Sequence, residues 1–430
     1  MGMNRDILRI ALPAIVTNVT VPLLGLIDTG IAGHIGHAEC IGAIAVGAMM
    51  LSLVYQNFVF LRMGTSGMTA QAYGAGDMEE AALTLLRALA LAAVTGLALI
   101  AVQYPLQWIV LLAVGSSEEV AQLARAYFYI VIWGAPAILM TMAIKGWFLG
   151  MQDSRIPMVL SIFVNLMNIA ASLVAVFVLR YGFIGIAFGT IVAQYAGMLL
   201  ALGIVARKHG SLLRAVKSSS ILRRGTLGRF FTVNRDIFLR SVCLMAITLT
   251  FTSLGARLGD ITLAANALMI QLFLLISYFL DGFAFAGEAL VGRFYGAKQT
   301  ALMRQCINWL FVWGVGIMAV FALLYCFLSR GIFGILTDDT AVVEAAMDYR
   351  WWCMLLPLAG MAGFVWDGVF IGMTATRGML VSILISASVF FLVAFLPAGA
   401  LTNHRLWAAF IGYLAVRGIA HTLYYRLRLR

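Results

Sequence analysis

The sequence predicts an all-α integral membrane protein: twelve transmembrane helices in two six-helix lobes related by pseudo-two-fold symmetry about the membrane normal. Three observations carry that reading. Of 430 residues, 63% are hydrophobic and only 11% are Asp, Glu, Lys or Arg, whereas soluble domains carry roughly 25% charged residues. The apolar residues run in long unbroken stretches, as bilayer-crossing helices require. The second half of the chain also repeats landmarks of the first. A protein so poor in polar surface cannot coat itself in water. The composition therefore excludes a soluble enzyme, a nucleic-acid-binding domain and a disordered chain.

A bilayer-crossing helix needs about 20 mostly apolar residues. By that ruler the spans fall at approximately 8–33, 41–73, 80–103, 120–149, 156–179, 182–206, 236–256, 261–294, 303–328, 342–372, 378–398 and 406–425. The runs do not alternate polar with apolar, which argues against closed strands. Helices also satisfy their own backbone hydrogen bonds in lipid. The second, fourth, eighth and tenth spans are longer than hydrocarbon requires and are expected to tilt or project beyond it. The apolar stretch after the polar opening Met1 to Asp6 reads as a span, being too long for a cleavable signal.

Basic residues orient these spans. The net charge is +11, and its placement decides what it means. Segment 207–235 holds Arg207, Lys208, Arg214, Lys217, Arg223, Arg224, Arg229 and Arg235 without an acidic residue. Arg426, Arg428 and Arg430 lie in the tail, and Arg155, Lys298, Arg304 and Arg377 in short connections on the same side. Opposite them stand Glu118 and Glu119, then Asp338, Asp339 and Glu344. An even span count puts both termini on the basic side, which is expected to face the cytoplasm of a bacterial inner membrane. The charge is thus a topology signal, and no nucleic-acid partner is expected: the basic segment has no interleaved aromatics beyond Phe230 and Phe231. The five cysteines form no CxxC pair, so neither a disulfide framework nor a zinc site is expected.

The basic segment divides the chain into an N-lobe (1–208), a cytoplasmic linker (209–234) and a C-lobe (235–430). At an offset of 222, Tyr73-Gly74-Ala75 falls on Tyr295-Gly296-Ala297, and KGWFLGMQDSR (145–155) falls on DGVFIGMTATR (367–377). Asn-Arg-Asp-Ile recurs at 4–7 and 234–237. Six spans per half means both halves enter the bilayer from the same side, so the repeats are parallel. Two such lobes are expected to enclose a cleft near the midplane and to rock about it, which favours a transporter over an enzyme or receptor.

Five strings sharpen this reading: GLIDTGIAGHIG (25–36), NLMNIAAS (165–172), VNRDIFLR (233–240), LDGFAFAGEALVGRFYGA (280–297) and WDGVFIGMTATRGM (366–379). Together they resemble the DinF branch of the multidrug and toxic compound extrusion (MATE) family over essentially the whole chain. The second-half strings separate it from the NorM branch. The resemblance implies export of amphipathic, often cationic compounds against an inward flow of protons or sodium ions. No cofactor is implied, and a monomer in the lipid bilayer is expected. Two alternatives stand beside it: a lipid-linked or oligosaccharide flippase of the same superfamily, and an integral-membrane enzyme. The flippase would need a large cationic cleft, and the enzyme a convergent His, Cys or carboxylate cluster.

Ionisable groups within spans are costly unless paired or solvated, so each is a functional candidate. Asp28 lies about five residues, roughly 8 Å, from the outer end of the first span. A carboxylate that takes either a proton or a cationic partner is the minimal device for antiport, and the string GLIDTGIAGHIG resembles the family's first-helix aspartate motif. Asn165, Asn168 and Ser172 form one stripe of the fifth span. The family pattern places an aspartate at the last position; serine here weakens a two-carboxylate sodium site and favours proton coupling. Pro13 and Pro22 invite bending of the Asp28 helix, and Pro13 resembles a family proline associated with bending. In the second half Asp367, Asp281 and Glu288 are candidates for a cation or substrate site, with Arg240 as a partner. Asp367 falls on Lys145 in the repeat. Lys145 and Arg62 read as interfacial anchors. Tyr55, Gln56, Asn57, Phe60 and Gln194 are candidate cleft-lining groups. His34 and His37 lack further ligands for a metal.

Overall fold

Backbone N–H and C=O groups find no water in hydrocarbon, and helices satisfy them within the segment. The computed structural model describes residues 2–33, 38–114, 118–215, 224–396 and 401–429, and among these every regular element is helical. The first helix, α1, covers Met3–Gly33. Eleven helices after it, among the described residues, are long and apolar enough to cross a membrane: α2 Gly42–Gly74, α3 Met78–Ala101, α4 Glu118–Gly150, α5 Arg155–Val178, α6 Phe183–Ala215, α7 Leu227–Ala256, α8 Asp260–Gly296, α9 Thr300–Leu336, α10 Arg350–Gly372, α11 Thr376–Phe395 and α12 Asn403–Arg428. The protein is thus an all-α, multi-pass membrane protein. His34 and His37 lie outside the described residues, as do Lys217 and Arg223 of the basic segment.

Several boundaries differ from expectation, each for a local reason. The expected span 342–372 is two helices, Thr340–Asp348 and α10, parted at Tyr349 (φ −102°, ψ 6°). The Asp339 carboxylate starts the first of these by accepting from the N–H groups of Ala341 (2.9 Å) and Val342 (3.4 Å), the role an acidic N-cap fills. α10 therefore has 23 residues and is not overlong, whereas α6 with 33 and α9 with 37 are. A hydropathy ruler stops at the first charges, but Arg207 and Lys208 are exposed good helix formers that carry α6 onward. A further helix, Gln103–Val114, follows α3. Within α2 and α4 the turns Gln56–Phe58 and Ile132–Gly134 tighten to 3₁₀ geometry.

The chain forms two compact units: Val16–Asn234, here the N unit, and Met1–Ile15 with Arg235–Arg430, the C unit. α1 contributes to both, and membership changes two residues past Pro13. Residues 1–15, assigned by sequence to the N-lobe, thus belong with the C unit. The segment 209–234, read as a linker, is helical wherever it is described. α6 continues to Ala215, turning at His209 (φ −132°, ψ 16°), and helix resumes at Arg224. Phe230, 2% exposed, packs on Ala88 and Ala143. The Arg229 guanidinium donates to Gln71 Oε1 (2.5 Å).

The repeated strings do the same structural work in each unit. In the N unit, a Cβ at Gly146 would strike the Arg62 carbonyl, and one at Gly150 would lie 2.6 Å from Thr69 Cβ. In the C unit, a Cβ at Gly368 would strike the Ala284 carbonyl, and one at Gly372 would lie 2.8 Å from the Gly292 nitrogen. These glycines, spaced four apart, let α4 lie on α2 and α10 lie on α8 at backbone contact, as small residues do in membrane helix pairs. Each string ends in a Schellman-type stop with a left-handed residue. Gln152 (φ 67°) and Thr374 (φ 50°) hold it after α4 and α10, and Gly76 (φ 74°) and Lys298 (φ 56°) after α2 and α8. The closing bonds also match: Asp153 N to Phe148 O (2.9 Å) and Ala375 N to Phe370 O (2.8 Å).

Candidate functional site

In the N unit, four helices bring polar groups together around Asp28. α1 carries Asp28, which is 8% exposed and whose Oδ1 is buried without a hydrogen-bond partner. Among the described residues no basic side chain pairs with it. Tyr127 of α4 lies within electrostatic reach of Asp28 and within hydrogen-bonding reach of Thr190 of α6. Thr190 Oγ1 accepts from Asn168 Nδ2 of α5 (3.1 Å), and Ser172 Oγ donates to Asn168 Oδ1 (3.5 Å). Asn165 reaches α1 directly, Nδ2 donating to the Thr20 carbonyl (3.3 Å). The stripe Asn165, Asn168 and Ser172 therefore faces the interior of the unit.

Glycines make this convergence possible. A Cβ at Gly47 would lie 2.5 Å from the Tyr127 ring, and one at Gly189 would lie 2.5 Å from the Ser172 nitrogen. The Tyr55 hydroxyl is buried without a partner, within electrostatic reach of Tyr127 and Tyr195. Phe60 is buried. Asn57 Nδ2 is turned back to the Leu53 carbonyl (2.7 Å). Gln56, in the 3₁₀ turn, is exposed, and Gln194 sits beside Gly134. α1 is helical throughout Pro13 and Pro22.

The C unit holds a different constellation. Asp367 Oδ2 on α10 accepts from both Arg240 on α7 and Arg417 on α12, while Oδ1 lies 3.7 Å from His421 Nε2. Asp367 is 5% exposed, Arg417 4% and His421 1%. Arg417 also donates to the Tyr413 hydroxyl (3.1 Å) and lies over the Phe364 ring at 5.2 Å. Asp281 lies within electrostatic reach of Arg417, and Glu288 is buried one helical turn before Gly292. A cation arriving at Asp367 would have to displace two guanidinium groups. Lys145, the repeat counterpart of Asp367, donates instead to Ser161 Oγ (2.7 Å); Arg62, read with it as an interfacial anchor, packs its backbone against Gly146.

Sequence reasoning missed Tyr127, Thr190, Arg417 and His421. Arg417 and His421 carried a usable signal, being ionisable residues one turn apart inside the twelfth span. Tyr127 and Thr190 did not, because aromatic and hydroxyl residues are common in spans and gain meaning only from their neighbours.

Twelve long helices among the described residues, an internal repeat and a buried carboxylate within reach of a neutral polar chain define the class: a polytopic membrane protein built as transporters are. The MatE family model matches residues 13–174 and again 237–396. The chain belongs to this family. It is 36% identical over 425 residues to DNA damage-inducible protein F of Escherichia coli (strain K12), covering 97% of this chain and 91% of that one. Among solved structures it resembles one described as MATE in the bent conformation, and one described as an outward-facing multidrug resistance MATE family transporter of the MOP superfamily. Each has a TM-score of 0.87 at 17% identity, covering 100% of this chain and 96% of the other. At that identity the likeness speaks for the fold. Membership of a transporter family sets aside the membrane-enzyme alternative.

Proposed function

We propose that the protein is a secondary active multidrug exporter, antiporting amphipathic or cationic organic compounds against inward protons by alternating access. It works as a monomer in a bacterial cytoplasmic membrane, with both termini on the cytoplasmic side. The observation that carries this reading is Asp28: a buried carboxylate with a bare oxygen and only uncharged polar neighbours among the described residues. Low-dielectric surroundings make a lone carboxylate favour neutralisation, and a proton and a cationic substrate each supply it. Whichever binds, the other must leave. Ser172 contributes a hydroxyl where a second carboxylate would strengthen a sodium site, which supports protons over sodium.

Pro13 and Pro22 supply a pliable helix beneath the carboxylate. Protonation of Asp28 changes its hydrogen bonds and shifts α1 between bent and straight forms. Spin-label distances across α1 are expected to differ between the parent and Asp28→Asn; identical distances would remove the switch.

Transport in proteoliposomes with an imposed proton or sodium gradient tests the coupling. Efflux of a cationic dye is expected to follow the proton gradient and to fall at least tenfold in Asp28→Asn. Full-rate efflux in that variant would overturn the assignment, and efflux that follows sodium alone would replace the ion.

A further inference from the structure

The repeat sets Lys145 in α4 and Asp367 in α10 at equivalent positions, and the two units treat their charges differently. Asp367 is answered inside its own unit by Arg240 and Arg417. Lys145 has no such answer: among the described residues no carboxylate pairs with it, and its ammonium donates to the Ser161 hydroxyl of α5 at 2.7 Å. It sits five residues before the end of α4 at Gly150, which is roughly 8 Å inside the helix. One turn earlier, on the same face of α4, the Thr141 hydroxyl is buried without a hydrogen-bond partner. Ser161 is buried, while Lys145 is half-buried.

An unpaired ammonium in a membrane span is costly, and such groups face a partner or a wet cavity. An ammonium bonded to one hydroxyl, with a second, unpartnered hydroxyl one turn away on the same helix face, is a donor set for an oxyanion, with one charge-assisted bond and neutral bonds to the remaining oxygens. The hydroxyls offer nothing to an incoming cation that the lysine would not repel.

We propose that Lys145, Thr141 and Ser161 form a site for the anionic head group, carboxylate or phosphate, of an amphiphilic molecule. The carboxylate source is a transported amphiphile; the phosphate source is an anionic lipid. The site lies apart from the Asp28 constellation and takes the opposite charge.

Binding of dansylated undecanoic acid to the full-length protein in phosphatidylcholine nanodiscs tests this, with the methyl ester of the same probe as the uncharged match. The acid is expected to bind at least tenfold more weakly to Lys145→Met, and Lys145→Arg is expected to stay within about threefold of the parent. Ser161→Ala, which leaves the lysine in place, is expected to weaken the acid by about threefold, and binding of the ester is expected to be unchanged in all three variants. Equal binding of the acid to the parent and Lys145→Met would overturn the proposal, as would an equal loss of acid and ester. Nanodiscs containing phosphatidylglycerol separate the sources. Displacement of the acid there assigns the site to lipid phosphate, and undiminished binding assigns it to a carboxylated amphiphile. The readout uses no ion gradient, so it stands or falls independently of the coupling given to Asp28.

Discussion

At the scale of single residues, two buried aspartates occupy opposite electrostatic situations. Asp28 lies within electrostatic reach of Tyr127, which leads on to the Thr190, Asn168 and Ser172 chain, all neutral. Asp367 meets two guanidinium groups. The consequences under substitution differ accordingly. Asp367→Asn leaves Arg240 and Arg417 with an unbalanced buried charge, and breaking such a pair costs about 3–5 kcal/mol. Thermal unfolding in detergent is expected to show that loss, and Asp367→Asn with Arg417→Met to recover part of it. Asp28→Asn is expected to unfold near the parent temperature, because it removes no ion pair, while losing transport. Tyr127→Phe and Thr190→Val are expected to slow proton-driven efflux by about three- to tenfold, as loss of one neutral hydrogen bond worth about 1 kcal/mol does. Initial rates of dye efflux check both.

At the scale of elements, the glycines decide which helices touch. A side chain at Gly146 or Gly368 meets backbone on the neighbouring helix, and backbone cannot rotate away as a side chain can. Gly146→Ala and Gly368→Ala are each expected to cost about 1–3 kcal/mol through forced separation of the pair. Gly316, with nothing within 4 Å of its would-be Cβ, is the control: Gly316→Ala is expected to be neutral or to stabilise by up to about 1 kcal/mol through helix propensity. Midpoints of thermal unfolding for the three variants decide the matter. The glycine spacing was legible in the repeated strings, but nothing in either string names its partner. That Gly146 meets Arg62 and Gly368 meets Ala284 depends on which helices lie side by side. The stop after each string was likewise hidden, since Gln152 and Thr374 are not residues that favour a left-handed backbone.

At the scale of the whole molecule, charge placement and duplication set the organisation. Among the described residues six long helices lie on either side of the basic segment, and the family model matches each half separately. The orientation belongs to the proposal, and single cysteines test it. A cysteine at Lys298 is expected to react with an impermeant thiol reagent only from the cytoplasmic side, and one at Asp338 only from the outside; the reverse pattern would invert the topology. The sequence division puts residues 1–15 with the first half, whereas the compact units group them with Arg235–Arg430, because α1 reads as one continuous apolar helix. Its unit membership changes near Pro13 through contacts that no local pattern records.

Composition, span length and the basic segment by themselves determined a helical membrane protein in two similar halves, with Asp28 as its most isolated charge. Those features follow from the solvent: lipid tolerates few charges and demands self-satisfied backbone, so both conditions are written locally along the chain. Only the tertiary structure decided what each charge meets. Asp367 became the centre of an ion cluster through Arg417 and His421, some fifty residues away, and Lys145 was given a hydroxyl in place of a counter-ion. Pairing energy depends on distance and burial, and neither is a property of a residue's place in the sequence.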